Sequence, residues 1–146
     1  MKARILIVDD EQEFVLALSE RLTIRDYDVT TSFSGDDAIE KVSHYSFDVV
    51  ILDVLMPVRD GIEVLREIKR IKPLTEVIML TGNATVETAI EGMKLGANDY
   101  LMKPCETEEL VRKLDSAFKK KTEHEERIWA ARAKEIISSP RTALKH

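Results

Sequence analysis

Residues 47–53 read Phe47-Asp48-Val49-Val50-Ile51-Leu52-Asp53, four unbroken aliphatic residues closed by a carboxylate. A run this short, rich in Val and Ile and without polar alternation, is how a strand buried on both faces reads, as in a parallel sheet covered by helices. Working outward, similar runs predict strands at 4–8, 28–31, 76–80 and 99–102. Between them apolar residues recur at helical spacing: Phe14, Leu18 and Leu22; Ala38, Ile39 and Val42; Ile62, Leu65 and Ile68; Val86, Ala89, Ile90 and Met93; Leu110, Leu114 and Phe118. Ser34 stands three before Asp37 and Asp60 three before Glu63, the spacing of a capping box, while Pro73 and Gly96 mark helix ends. Five strand–helix units joined by right-handed crossovers predict an α/β fold. The expected form is a doubly wound five-stranded parallel sheet in the order 2-1-3-4-5, with helices on both faces.

At 146 residues and 44% hydrophobic, the chain has enough core for one domain and too little for two substantial ones. Its 27 Asp and Glu outweigh 22 Lys and Arg, which argues against a general nucleic-acid or anionic-membrane binder. Residues 119–146 carry a formal +4 against the chain's −5, which leaves −9 on residues 1–118. Apolar runs such as Ile5-Leu6-Ile7-Val8 fall far short of the roughly 20 residues of a membrane helix, and nothing near Lys2 and Arg4 forms a signal-peptide core. The lone Cys105 excludes an internal disulfide and a multi-cysteine metal site. It fits a reducing compartment, so a cytoplasmic location is expected. From Lys119 to Ile137 there is neither Gly nor Pro, and Glu123 sits four before Arg127. The fifth helix should therefore extend past the domain until Ser138-Ser139-Pro140 stops it, dividing the chain into a domain at 1–120 and a helical extension or linker at 121–146.

The chemistry gathers where the apolar runs end. Asp9 and Asp10 follow the first run, Asp53 the third, Thr81 the fourth and Lys103 the fifth. In the order 2-1-3-4-5 these residues meet in one crevice beyond the carboxyl ends of the strands. Carboxylates crowded together repel unless a cation sits between them. A small all-oxygen site beside an amine suits Mg²⁺, and no His at a strand end favours zinc. Cation, amine, hydroxyl and spare carboxylate are the parts needed to move a phosphoryl group, with Asp53 the best nucleophile because it ends the central strand.

Five motifs, Val8-Asp9-Asp10-Glu11, Leu52-Asp53-Val54-Leu55-Met56-Pro57 with Asp60-Gly61, Leu80-Thr81-Gly82, Gly96-Ala97-Asn98-Asp99-Tyr100 and Lys103-Pro104, resemble in order and spacing the receiver domain of two-component response regulators, over about residues 3–120. The resemblance implies a flavodoxin-like fold and a phosphorylation-activated switch. It makes Asp53 the phosphoacceptor, and Asp10, Asp53 and the Leu55 backbone carbonyl the ligands of Mg²⁺ or Mn²⁺, with Asp9 acting mainly through a metal-bound water. It further makes Thr81 and Tyr100 the switch pair, Lys103 the amine that binds the phosphoryl group, and Pro104 a cis-proline. The implied phosphoryl donor is a sensor histidine kinase or a histidine phosphotransfer protein. A downstream output protein or domain is the implied recipient of the signal, through the face made by the fourth helix, fifth strand and fifth helix.

Each residue alone also has a plainer reading. Asp10 stands three before Glu13 and suits a helix cap, Asp53 a turn before Pro57, Thr81 a cap, Lys103 a surface amine and Tyr100 a core ring; His44, His124 and His146 read as surface residues. A haloacid-dehalogenase phosphatase, which also uses an Asp nucleophile, carries an acidic residue two positions later, where this chain has Leu55. The expectation is therefore a signalling module and not a turnover enzyme. A nucleotide- or flavin-binding domain needs a glycine-rich loop where Asp9-Asp10-Glu11-Gln12 stands. Two outputs stay open: a stand-alone receiver, or the front of a longer DNA-binding or ATPase-type regulator. A homodimer through the extended helix is a further option, although Phe118, Ile128, Ala131, Ile136 and Ile137 are sparse for clean heptads.

Overall fold

The computed structural model describes residues 2–55, 61–82 and 85–138. Among these, the chain runs β1 (Arg4–Val8), α1 (Gln12–Ile24), β2 (Asp28–Ser32), α2 (Gly35–His44), β3 (Val49–Leu52), α3 (Gly61–Ile71), β4 (Glu76–Thr81), α4 (Val86–Lys94), β5 (Asp99–Met102) and α5 (Thr107–Ser138). The strands form one sheet in the order β2-β1-β3-β4-β5, every pair parallel. This is the expected doubly wound α/β topology. The third strand starts at Val49 and not at Phe47 as expected: Asp48 precedes the ladder, its amide donating to the Arg4 carbonyl (2.8 Å).

Strand alternation builds two cores. Leu6, Val8, Val50, Leu52, Val77 and Met79 point to one face and pack with α2 and α3. Ile5, Ile7, Val49, Ile51, Ile78 and Leu80 point to the other and pack with α1 and α5. All four residues of β3 and all six of β4 are buried, which is why these runs show no polar alternation. No described helix is long and apolar enough to cross a membrane.

The helix ends correct one expectation and add another. Ser34 caps α2 by accepting from the Asp37 amide (3.2 Å), but Asp37 does not reciprocate. Its carboxylate instead accepts from Ser32 (2.7 Å) and pairs with Lys41 (2.9 Å), so only half of the capping box forms. The Asp60–Glu63 box lies outside the described residues, since Asp60 is not among them. At the end of α1, Tyr27 N–H donates to the Leu22 carbonyl (3.2 Å) and Asp26 N–H to Thr23 (3.0 Å), with Asp26 at φ 71°. That is a Schellman stop with Asp where Gly is usual. Gly96, at φ 105°, makes the same stop after α4. An Asp26→Gly variant should gain about 0.5–1 kcal/mol in chemical denaturation, because Gly removes the left-handed penalty and the Lys2 ion pair it forfeits is largely exposed.

At the amino-terminal end of the strands, opposite their tips, α5 is tied to the domain by a buried charge. The Lys121 ammonium donates to Asp48 (2.9 Å) and to Glu125 (3.1 Å), while Asp48 also accepts the Arg4 amide (2.7 Å). Burial alone would lower the Lys121 pKa, but the bonds from Asp48 and Glu125 outweigh it and hold the group above its ordinary 10.5. The pair therefore stabilises the fold fully below pH 10.5 and fades as pH rises through the folded value. Replacing Lys121 with Met should cost about 2 kcal/mol at neutral pH, because Asp48 keeps its burial and loses its nearer counter-charge, leaving only the Arg4 guanidinium at 3.8 Å among the described residues. Urea titrations at neutral pH and above pH 11 check this, with the gap between variant and parent narrowing at the higher pH.

Candidate functional site

Four of the five strands deliver a side chain to the crevice where their apolar runs end. Asp9 follows β1, held by its amide to the Ser32 carbonyl (3.1 Å), and is 2% exposed. Asp53 follows the central strand β3, its amide bonded to the Val8 carbonyl (2.9 Å), and is also buried. Behind it only a glycine fits at 61: a Cβ there would meet the Val54 Cα at 2.2 Å. Thr81 is the last residue of β4, buried, and its Oγ1 has no hydrogen-bond partner among the described residues. Lys103 follows β5, its amide bonded to the Thr81 carbonyl (2.9 Å), and the Lys103–Pro104 peptide is cis, as the sequence resemblance implied.

These side chains converge. Asp9, Asp10 and Asp53 each place a carboxylate oxygen within 4.8 Å of the others, with Asp10 on the solvent side. The Lys103 ammonium donates to Asp9 Oδ2 (2.5 Å) and Glu11 Oε1 (3.1 Å) and lies 3.7 Å from Asp53 Oδ2. The ammonium thus sits nearer Asp9 than Asp53, and among the described residues the other donor to Asp9 is the Glu11 amide (3.0 Å).

The plainer readings fare unequally. Asp10 does not cap α1, whose N-cap is Glu11 without a side-chain bond. Thr81 does not cap α4, since Thr85 does so by accepting from the Thr88 amide (3.1 Å). Asp53 does serve its turn: Oδ1 accepts the Leu55 amide (2.9 Å), which leaves Oδ2 facing Lys103. Tyr100 stands apart from the cluster, half-buried against the α2–α3 core, with its hydroxyl donating to Met102 Sδ (2.8 Å). His44 and His124 are exposed, as expected, and His146 lies outside the described residues.

Two residues next to the site escaped the sequence reading. Glu11 pairs with Lys103, and the Phe14 ring lies under the same ammonium, 4.1 Å from centroid to Nζ. The only signal available was their spacing of three, which sets the N-cap residue and the third residue of α1 on one side of the helix start.

Burial pushes the Asp9 carboxyl up; the Lys103 and Glu11 bonds pull against it, and the net result stays above its ordinary 3.8. For Lys103, burial alone would lower the ammonium, yet its bonds to Asp9 and Glu11 keep it above 10.5. The cluster of Asp9, Asp10 and Asp53, with Glu11 at its rim, thus has one ammonium among four carboxyl groups, an all-oxygen donor set short of positive charge. Such a set fits a hard divalent cation.

Residues 5–115, which carry this buried carboxylate at the central strand tip with its acidic cluster and amine, match the family model for the response regulator receiver domain. The chain belongs to the response regulator receiver family. This receiver is 37% identical over 148 residues to the transcriptional regulatory protein ZraR of Salmonella typhimurium, covering 99% of this chain and 33% of that protein. The chain therefore spans about a third of that curated relative. Among solved structures, a CheY-like receiver domain protein from Methanospirillum hungatei aligns with TM-score 0.82 and 26% identity, covering 85% of this chain and 99% of that one. A response regulator from Burkholderia pseudomallei, solved with a phosphorylated aspartic acid, calcium ion and citrate, aligns with TM-score 0.75 and 25% identity over 85% of this receiver and 73% of that chain.

Proposed function

We propose that this receiver accepts a phosphoryl group on Asp53 and so switches the surface it presents to an output. The observation that carries the reading is the buried Asp53 Oδ2 facing Lys103 at 3.7 Å, with the unpartnered Thr81 hydroxyl at the next strand tip. Asp53 oxygen attacks phosphorus; the P–N bond of a donor phosphohistidine breaks, its electron pair returns to the imidazole, and the ring leaves with a proton from solvent. Lys103 and Thr81 would hold the equatorial oxygens as charge shifts onto them. Asp9, Asp10, Asp53 and the Leu55 carbonyl would hold Mg²⁺ or Mn²⁺. The ion supplies charge neutralisation at the phosphoryl oxygens.

The new group brings about −1.5 to −2 of charge and three acceptors, which draws the Thr81 hydroxyl to its first partner. Tyr100 then follows from its outward contact with Met102 toward the interior, changing the α4–β5–α5 face. The donor in this reading is a sensor histidine kinase or a histidine phosphotransfer protein. The relative's name and the 33% share of it that this receiver covers favour residues 1–120 as the switch and 121–146 as a helical linker toward an output of a longer transcriptional regulator. Turnover of an external substrate is not part of the role.

Incubation with acetyl phosphate and Mg²⁺, followed by intact mass and peptide mapping, tests the acceptor. One phosphoryl group at residue 53, absent with chelator, is expected. Uptake elsewhere, or uptake indifferent to chelator, overturns the reading.

A further inference from the structure

Lys103 works at the end of four methylenes, and nothing in the backbone decides which carboxylate it serves. Three neighbours compete for it: Asp9 at 2.5 Å and Asp53 at 3.7 Å inside the crevice, and Glu11 at 3.1 Å on the rim, where the Glu11 side chain is 64% exposed. A free lysine stem carries substantial rotamer entropy, and swinging outward to Glu11 would regain water for the ammonium. The Phe14 ring lies against the same ammonium. It is half-buried, packed against the α1–α5 core, and offers its face to Nζ at 4.1 Å from the centroid. An ammonium over an aromatic face gains electrostatic attraction that grows as water is excluded, and the Lys103 side chain here is only 11% exposed.

We infer that Phe14 is a positioning residue for phosphoryl uptake: its ring face holds the Lys103 ammonium on the Asp9–Asp53 side of the crevice. This rests on the proposed phosphoacceptor role of Asp53. Phe14 touches no reacting atom; it acts through Lys103 alone. The exposed Glu11 pair, screened by solvent, is the weaker hold.

The test replaces Phe14 with phenylalanines bearing one, two and three ring fluorines, which keep the shape of the side chain while draining charge from its face. Initial uptake from acetyl phosphate at saturating Mg²⁺ is read by intact mass. The expected result is a stepwise fall, reaching roughly three- to tenfold for the trifluoro ring. Phe14→Leu, which keeps packing but has no face, falls at least as far. In a Lys103→Met background the same Phe14 changes have no further effect. Equal rates across the fluorine series, or an undiminished Phe14 effect without Lys103, overturn the inference. Failure of the unsubstituted protein to take up phosphate would overturn the Asp53 reading itself, a distinct result.

Discussion

An Asp53→Asn variant takes up no phosphoryl group from acetyl phosphate and unfolds at a higher temperature than its parent in metal-free buffer. The first effect follows from chemistry, since the amide oxygen that remains is a poor nucleophile and is already committed to the Leu55 amide (2.9 Å). The second follows from electrostatics. Asp9, Asp10 and Asp53 crowd within 4.8 Å, and Asp53 is one of the charges that raises the Asp9 pKa. Removing it should return about 1 kcal/mol to the metal-free fold. The same change should shrink the stabilisation gained on adding Mg²⁺, because fewer anionic oxygens remain to bind it. Differential scanning with and without Mg²⁺, alongside intact mass, measures all three. Phosphate uptake that persists in the variant would sink the acceptor assignment; a lower metal-free melting temperature would sink the crowding argument.

Lys103→Met should produce the largest loss of stability of any single site change. Asp9 is then buried with no counter-charge, at a cost of about 3–5 kcal/mol at neutral pH. The pH dependence has a definite sign. A carboxyl raised above its ordinary 3.8 by burial costs stability as pH climbs through that value, and without Lys103 the rise is steeper. The deficit should therefore be small below about pH 4 and full at pH 7, and Mg²⁺ should restore more stability to the variant than to the parent. Phosphoryl uptake should fall roughly a hundredfold, the scale on which one preorganised charge partner contributes to transfer. Urea titrations across pH 3.5–7.5 and acetyl phosphate time courses read the two effects; a pH-independent deficit would show that Lys103 stabilises by packing alone.

The fold and the strand-tip residues were legible because both follow from local patterns. A doubly buried strand must be apolar throughout, so the first residue that is not apolar marks where the ladder opens to the crevice. Asp9, Asp53, Thr81 and Lys103 were found in this way. What stayed hidden depends on contacts between distant residues. Glu11 and Lys103 meet across 92 positions, and Lys121 and Asp48 across 73. Lys121 in particular sits among Lys119 and Lys120 in what reads as a solvated basic run, and only the packing of α5 on the sheet singles it out for burial. The Asp26 turn was missed for a different reason: the backbone there takes a left-handed conformation without the glycine that would announce it.

The Lys121–Asp48 tie also sets a fulcrum for α5. Beyond it the helix continues to Ser138, about 25 Å of further length. Any pivot of α5 on the sheet is magnified along that arm: a tilt of about 10° sweeps the far turn by about 4 Å. Ångström-scale repacking at the strand tips would thereby reach whatever grips the distal turns as a displacement wide enough to make or break a whole layer of side-chain contacts.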